Sequence, residues 1–281
     1  MIDVLGLGSV ALDDLLLIDE WPAADTKVRV ARRTQRLGGL TGHALVAATK
    51  AGARCAYAGC LGTDDDSLAA ARALEAAGID TRFAVRAGAN GIVRSVIVSA
   101  VLPGTRNVFS HATGRTGAHD LSPSAEVIGD AQVLFVDHHG VSGSIRAAGL
   151  AREAGCAVVA DLERDDHVRF GELLAAVDHL ILSSAFARRI TGTATPAEAV
   201  QHLWNSDREV VIVTDGGEGC WWRDSAHVVP QHFPALRVEV RDTSGCGDVF
   251  HGVYAARLAS STPLDERLRA ATEAAGRHAA A

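Results

Sequence analysis

Short apolar runs and longer amphipathic stretches take turns along the chain, most regularly between Val133 and Thr214. The runs Val133–Asp137, Ala157–Asp161, His179–Ser183 and Glu209–Thr214 are largely apolar, whereas Ser144–Ala154, Val168–Val177 and Thr195–Asn205 carry their apolar residues at helical spacing. The first set predicts strands and the second helices, the last opened by Pro196, whose missing N–H falls where a helix has no partner for it. Strands without polar alternation are covered on both faces. That suits a parallel sheet with helices above and below, which binds ligands beyond the carboxyl ends of its strands.

The first half mixes this pattern with another. Ile2–Gly8 reads as a buried strand, Thr41–Ala51 as a buried helix closed by Gly52, Cys55–Gly62 as a further strand and Ser67–Ala77 as a helix. Leu12–Ile18, Val28–Arg36 and the hairpin Ile92–His111, turning at Pro103–Arg106, alternate as strands wet on one face do. These segments, about 12–18, 29–35 and 92–111, are expected to form a small lid-like sheet within one α/β domain spanning 1–281. Its other face is too apolar for lone exposure, so pairing with a second subunit is expected. Asp64-Asp65-Asp66 stands where acids cap a helix, a better reading than a metal cluster.

Near the end, Leu236-Arg-Val-Glu-Val240 alternates as a strand and runs into Asp242-Thr243, then Gly245-Cys246-Gly247 and a helix beginning near Asp248. The unpaired N–H groups of a helix's first turn, with the positive end of its dipole, favour an anion. Asp248 beside such a site reads either as a general base or as an ordinary first-turn acid.

Composition narrows the chemistry. In 281 residues the net charge is −7, which argues against a nucleic-acid surface. Lys27 and Lys50 are the only lysines, so no Gly-x-x-x-x-Gly-Lys-Ser/Thr loop exists and phosphate must be met by amides, arginine or metal. Five cysteines without Cys-x-x-Cys spacing suit reduced thiols, and neither a leader nor an 18-residue apolar run stands out, so a cytoplasmic protein with no membrane partner is expected. Gly6-x-Gly8 is followed by too short a segment for a dinucleotide fingerprint. The adjacent His138-His139 has no third ligand at a fixed spacing, so substrate contact by His138 is preferred to metal binding. Asp161, at a strand end, is a candidate for indirect metal or phosphate work.

The stretch Asp242-Thr-Ser-Gly-Cys-Gly-Asp248 resembles the signature of the ribokinase (PfkB) family of sugar kinases, Asp-Thr-x-Gly-Ala-Gly-Asp, with Cys246 in the alanine's place. The resemblance implies a ribokinase-like α/β fold, an anion hole from the amides of Gly245, Cys246 and Gly247, and Asp248 as the base that deprotonates a sugar hydroxyl. Asp242 and Thr243 go with the cofactor side of that motif. Gly38-Gly39-Leu-Thr-Gly-His43 is similar to the family's Gly-Gly-x-x-x-Asn, which implies substrate contacts for Gly38, Gly39 and, in the Asn position, His43; Asp13 matches the family's sugar-binding acid. Thr214-Asp-Gly216-Gly-Glu-Gly219 resembles the nucleotide turn, giving Thr214, Gly216 and Gly219 an ATP role. The implied cofactors are ATP, Mg²⁺ and a monovalent cation such as K⁺.

Two departures matter. Ser183 and Phe186 stand where many members have the Asn and Glu of Asn-x-x-Glu, tied to magnesium and phosphate, so the metal ligands are unknown. The chain also stops near a point where members run on to close the adenine site. A nucleoside kinase of the same fold, or a catalytically weak sugar-binding or regulatory protein, therefore stays open beside the sugar kinase. Arg29, Arg32, Arg33, Arg36, Arg94 and Arg106 crowd the expected lid, and guanidinium forks suit oxyanions. With Asp248-Val-Phe-His-Gly252, which resembles the sulfofructose kinase branch, they point to an anionic ketose or furanose, with Arg94 and Arg106 as substrate contacts. A solvated arginine face, or a ketohexokinase-like enzyme or ribokinase for neutral sugars, is the competing reading.

Overall fold

The computed structural model describes residues 1–102 and 105–281. In chain order, β1 (Ile2–Leu7), β2 (Ala11–Glu20) and β3 (Arg32–Gly38) precede α1 (Leu40–Lys50). Then come β4 (Cys55–Tyr57), β5 (Cys60–Leu61), α2 (Asp65–Ala76), β6 (Val85–Arg86), β7 (Val93–Leu102) and β8 (Thr105–Ala112). The alternating part follows: α3 (Ala125–Gly129), β9 (Ala131–Asp137), α4 (Val141–Ala154), β10 (Ala157–Asp161), α5 (Phe170–Ala175), β11 (His179–Ser183), α6 (Ser184–Thr191), α7 (Pro196–Leu203) and β12 (Val210–Thr214). A 3₁₀ turn (Gly216–Glu218), β13 (Cys220–Asp224), β14 (Gln231–Phe233), α8 (Cys246–Ala259) and α9 (Leu264–Ala279) complete it.

The main sheet runs β14-β13-β12-β11-β10-β9-β1-β4, parallel from β4 through β12, with β13 and β14 antiparallel at one edge. Its apolar strands serve two cores at once. Leu134 and Val136 of β9 enter one core with Val158, Ala147 and Leu173, while Val133 and Phe135 of the same strand enter the other with Leu45 of α1 and Tyr254 of α8. Successive side chains of a strand point to opposite faces, so only a run without polar interruption can fill both layers. The architecture is the ribokinase-like α/β one, with helices on both faces and a separate small sheet.

That small sheet has the order β3-β2-β7-β8. β2 pairs antiparallel with β3 and parallel with β7, and β7 returns as β8. Of the predicted turn, Pro103 and Gly104 lie outside the described residues. The expected strand over 28–36 starts later, at Arg32, because its pairing with β2 ends at Leu17↔Arg32 and Val28 and Val30 stay exposed.

Three other expectations change. The segment Cys55–Gly62 splits into two strands in different sheets, β5 pairing with β6, with the bend held by the Tyr57 hydroxyl, which lies 2.9 Å from the Gly8 carbonyl oxygen and 3.1 Å from that of Cys60. Val168–Val177 shortens to α5. Leu236–Val240 forms no strand: its alternation lays apolar side chains along a cavity instead of pairing with a sheet. Asp64, by contrast, caps α2 as expected, accepting from the Ser67 N–H at 3.0 Å.

Candidate active site

The first turn of α8 is the wall between two cavities. Ser244, Gly245 and Asp248 line one of about 400 Å³, which lies under the small sheet. Cys246 and Gly247 line the other, of about 410 Å³, which lies between the β12–β13 turn and α9.

The turn follows from its sequence. Gly245 is the N-cap of α8 with φ of 78°, a left-handed backbone that suits glycine. Cys246 N–H donates to the Thr243 carbonyl at 3.3 Å, and the first regular helical bond is Val249 N–H to Gly245 O at 2.9 Å. A β-carbon added at Gly247 would meet nothing within 4 Å, so the backbone here borders the second cavity without a side chain pressing on it. Arg241 N–H and Asp242 N–H both donate to Ala279 O, and His278 Nε2 lies 2.8 Å from Ser244 O, so the end of α9 fixes the approach to the turn.

In the first cavity Asp248 shares the wall with Asp13, Gly39, His43 and His138. Asp13 is buried, and burial raises its carboxyl above the ordinary value against the opposing pull of Ser95, His43 and Arg36. It sits so close to Gly38 that a β-carbon there would collide with the carboxylate. Gly39, with φ of 86°, is the N-cap of α1 and places His43 one turn in. Burial lowers the His138 imidazole to about 4, and its Nδ1 accepts from the Glu163 N–H at 3.3 Å, so the ring is a neutral group at neutral pH.

The small sheet contributes alternate residues, among them Ser95, Ile97, Arg106, Val108 and Ser110. Period two sends Arg94 to the other face. There its Nη2 pairs with Asp14 at 2.8 Å and its Nε with Asp66 at 3.4 Å, while Arg33 holds the other Asp14 oxygen at 2.9 Å. Arg94 therefore lines neither cavity, and Arg29, Arg32 and Arg33 do not either. Arg36 and Arg106 do reach the first cavity, joined by Arg164, which sequence reasoning missed. Arg36 Nε is buried without a hydrogen-bond partner. Arg106 Nη1 also lies 3.4 Å from Thr243 Oγ1 and 3.7 Å from Asp242, linking the small sheet to the turn.

Glu163 lines the first cavity too, its carboxyl raised by burial and by the Asp248 and Asp137 charges. With Arg164 it follows the carboxyl end of β10, the position where a parallel sheet binds ligands, which is the signal that could have found both. Asp161 itself is buried beneath the wall, 3.4 Å from His251, and lines neither cavity; burial holds its carboxyl well above the usual range.

The second cavity brings together Thr214, Gly216, Gly219 and Thr243 with Phe250 of α8 and Thr272 of α9. Leu236, Val238 and Val240 make its apolar side. Asp242 stays outside, more than half exposed, its carboxylate accepting the Ser244 N–H at 2.8 Å. Burial raises the Cys246 thiol, which keeps it protonated beside the turn.

The residues do not build a metal cage. Ser183 caps α6 and Phe186 packs edge-on against Phe170 in the core, so neither replaces a metal-binding Asn or Glu. Among the described residues no group of three or more His, Cys, Asp or Glu side chains is placed to hold a metal ion. Asp242 is already bonded to Ser244 and faces Arg106.

The model of the pfkB family of carbohydrate kinases matches residues 1–277. The chain belongs to that family. Among its relatives, a bifunctional HldE protein of Halorhodospira halophila is 28% identical over 281 residues, covering 95% of this chain and 58% of that protein. An ATP-dependent ribose-1-phosphate kinase of Halopiger xanaduensis is 29% identical over 285 residues, with 95% and 88% covered. The chain thus spans little more than half the length of the HldE relative. The crystal structure of a candidate ribokinase from Agrobacterium tumefaciens superimposes with a TM-score of 0.92 at 25% identity, covering all of this chain and 92% of that one. No helix of this pfkB member is long and apolar enough, among the described residues, to cross a membrane.

Proposed function

We propose that this pfkB-family protein is an ATP-dependent sugar kinase that works across the first turn of α8. The observation that carries the reading is the partition: Asp248 faces one cavity and Gly247 the other, from adjacent positions of one helix start. A sugar under the small sheet and a nucleotide in the second cavity would meet at that turn. Asp248 would take the proton of an acceptor hydroxyl while the Gly245 and Gly247 amides and the helix dipole stabilise charge on the phosphoryl in flight, the Cys246 N–H being engaged by the Thr243 carbonyl. No covalent intermediate is needed. Thr214, Gly216, Gly219 and Thr243 would hold the nucleotide. Magnesium would enter with the nucleotide's phosphates, as it does at sites with few protein ligands.

For the acceptor we propose a sugar with an anionic group, phosphate, carboxylate or sulfonate. Arg36, Arg106 and Arg164 all reach the first cavity, and the buried, unpartnered Nε of Arg36 supports the reading. The ribose-1-phosphate kinase among the relatives acts on such a sugar by name. A panel of neutral and anionic sugars with ATP, read by ADP release, tests both statements. Release with an anionic sugar preferred supports them, and a neutral sugar preferred about tenfold removes the anionic acceptor. The exposed side chains of Val96, Val101, Leu102 and Phe109 support a homodimer formed through the small sheet.

A further inference from the structure

His43 Nδ1 lies 3.1 Å from Asp248 Oδ2, and His43 Nε2 lies 2.7 Å from the Leu37 carbonyl oxygen. A carbonyl only accepts, so Nε2 carries a hydrogen and donates it. In a neutral ring Nδ1 would then be a bare lone pair, which cannot hydrogen-bond an ionised carboxylate. The contact therefore holds one proton, on the ring or on the carboxyl group. Both side chains are largely buried, 23% and 13% exposed, so water does not easily replace either partner.

We propose that His43 is the proton-holding partner of Asp248: the proton leaving the acceptor hydroxyl passes to the carboxylate and comes to rest in the Asp248–His43 bond, which must be vacant for turnover. This rests on the kinase reading above. In the step the acceptor O–H bond breaks, an O–P bond forms to the γ-phosphoryl, and the β,γ-bridging P–O bond breaks with its electrons leaving on ADP. The proton ends between Oδ2 and Nδ1. A pair that starts vacant finishes in the one-proton geometry observed. A pair that starts loaded would have to finish as an imidazolium beside a carboxylic acid, with Arg36 as a further positive neighbour, and so does not accept the proton.

The groups around the pair come from every side. Asp13 of β2, Arg36 of β3 and Asp248 of α8 act on the His43 ring, and His278 of α9 approaches the same Gly245 turn. Asp161 and Glu163, at the end of β10, act on Asp248. Burial disfavours a charged ring, but the hydrogen bond and charge of Asp248, helped by the Leu37 carbonyl and opposed by Arg36, outweigh it and raise the imidazole above its ordinary value. The loaded form therefore prevails below that raised value and empties above it, so kcat/KM rises with pH through it. His43→Asn puts a carboxamide there that cannot store the proton.

The deciding experiment titrates the full chain, ¹⁵N-labelled at histidine, by NMR, with the His43 signal identified by its loss in His43→Asn. The midpoint in wild type is expected to exceed that in Asp248→Asn by about one pH unit or more. Equal midpoints overturn the pair whether or not the protein is a kinase. With ATP and the acceptor that gives turnover in the sugar panel, wild-type kcat/KM should fall about tenfold per pH unit below the midpoint, while His43→Asn or His43→Gln stays flat there. An acid limb retained at the same pH in folded variants overturns the proton-holding role. If neither variant folds, a wild-type acid limb that fails to coincide with the NMR midpoint does the same.

Discussion

Gly252 of α8 faces the Ala44 carbonyl of α1 at such close range that a β-carbon built on the glycine would collide with that oxygen. Asp248 lies one turn before Gly252 and His43 one residue before Ala44, so this crossing sets the distance between the two cavity-wall residues. Gly252→Ala should push the helices apart and cost about 1–3 kcal/mol, although alanine is the better helix former. Urea unfolding measures it. A variant as stable as the parent would show that the crossing can relax freely.

Gly247 gives the opposite case. A methyl group there meets no protein atom, so Gly247→Ala should unfold within about 0.5 kcal/mol of wild type or later. The same methyl projects at the second cavity, where the nucleotide's phosphates are proposed to lie, and turnover should drop at least about tenfold. Calorimetric unfolding and ADP release on one preparation separate the effects. Full activity would take the phosphates elsewhere.

Much of this arrangement was legible in the chain, for physical reasons that differ by element. β9 to β12 were readable because covering on both faces demands unbroken apolar runs. The turn at Gly245 was readable because a left-handed N-cap beside an open backbone position at Gly247 suits glycines. Leu236–Val240 misled because alternation does not require a sheet; here Leu236 meets Gly276 of α9 and the run lines a cavity, Leu236 and Val240 staying exposed. Arg94 misled because its face depends on the β2–β7 register, Asp13↔Ser95, which no local pattern carries. Arg164 and Glu163 are ordinary loop residues until β10 brings them to the site.

Arg36→Leu isolates the acceptor's charge. Loss of a charge-assisted contact should lower kcat/KM for an anionic sugar by about 10- to 100-fold. A neutral sugar should change by no more than about threefold, within the spread expected when no such bond is lost. Equal losses for both would make Arg36 a structural support of Asp13 and His43.

The apolar outer side chains of the small sheet make the oligomer testable. Light scattering at micromolar concentration should give a dimer, and Phe109→Glu, at a residue 60% exposed in the isolated chain, should give a monomer. A wild-type monomer would contradict pairing through this sheet.

The proposed chemistry places Asp248 at an acceptor hydroxyl across the α8 turn from ATP. ADP release by wild type and by Asp248→Asn, with ATP, magnesium and the sugar panel, tests this placement. Sugar-dependent release is expected in wild type, with a loss of at least about a hundredfold in kcat for Asp248→Asn and nucleotide binding by titration calorimetry nearly unchanged. Asp248→Asn turning over at the wild-type rate would contradict it.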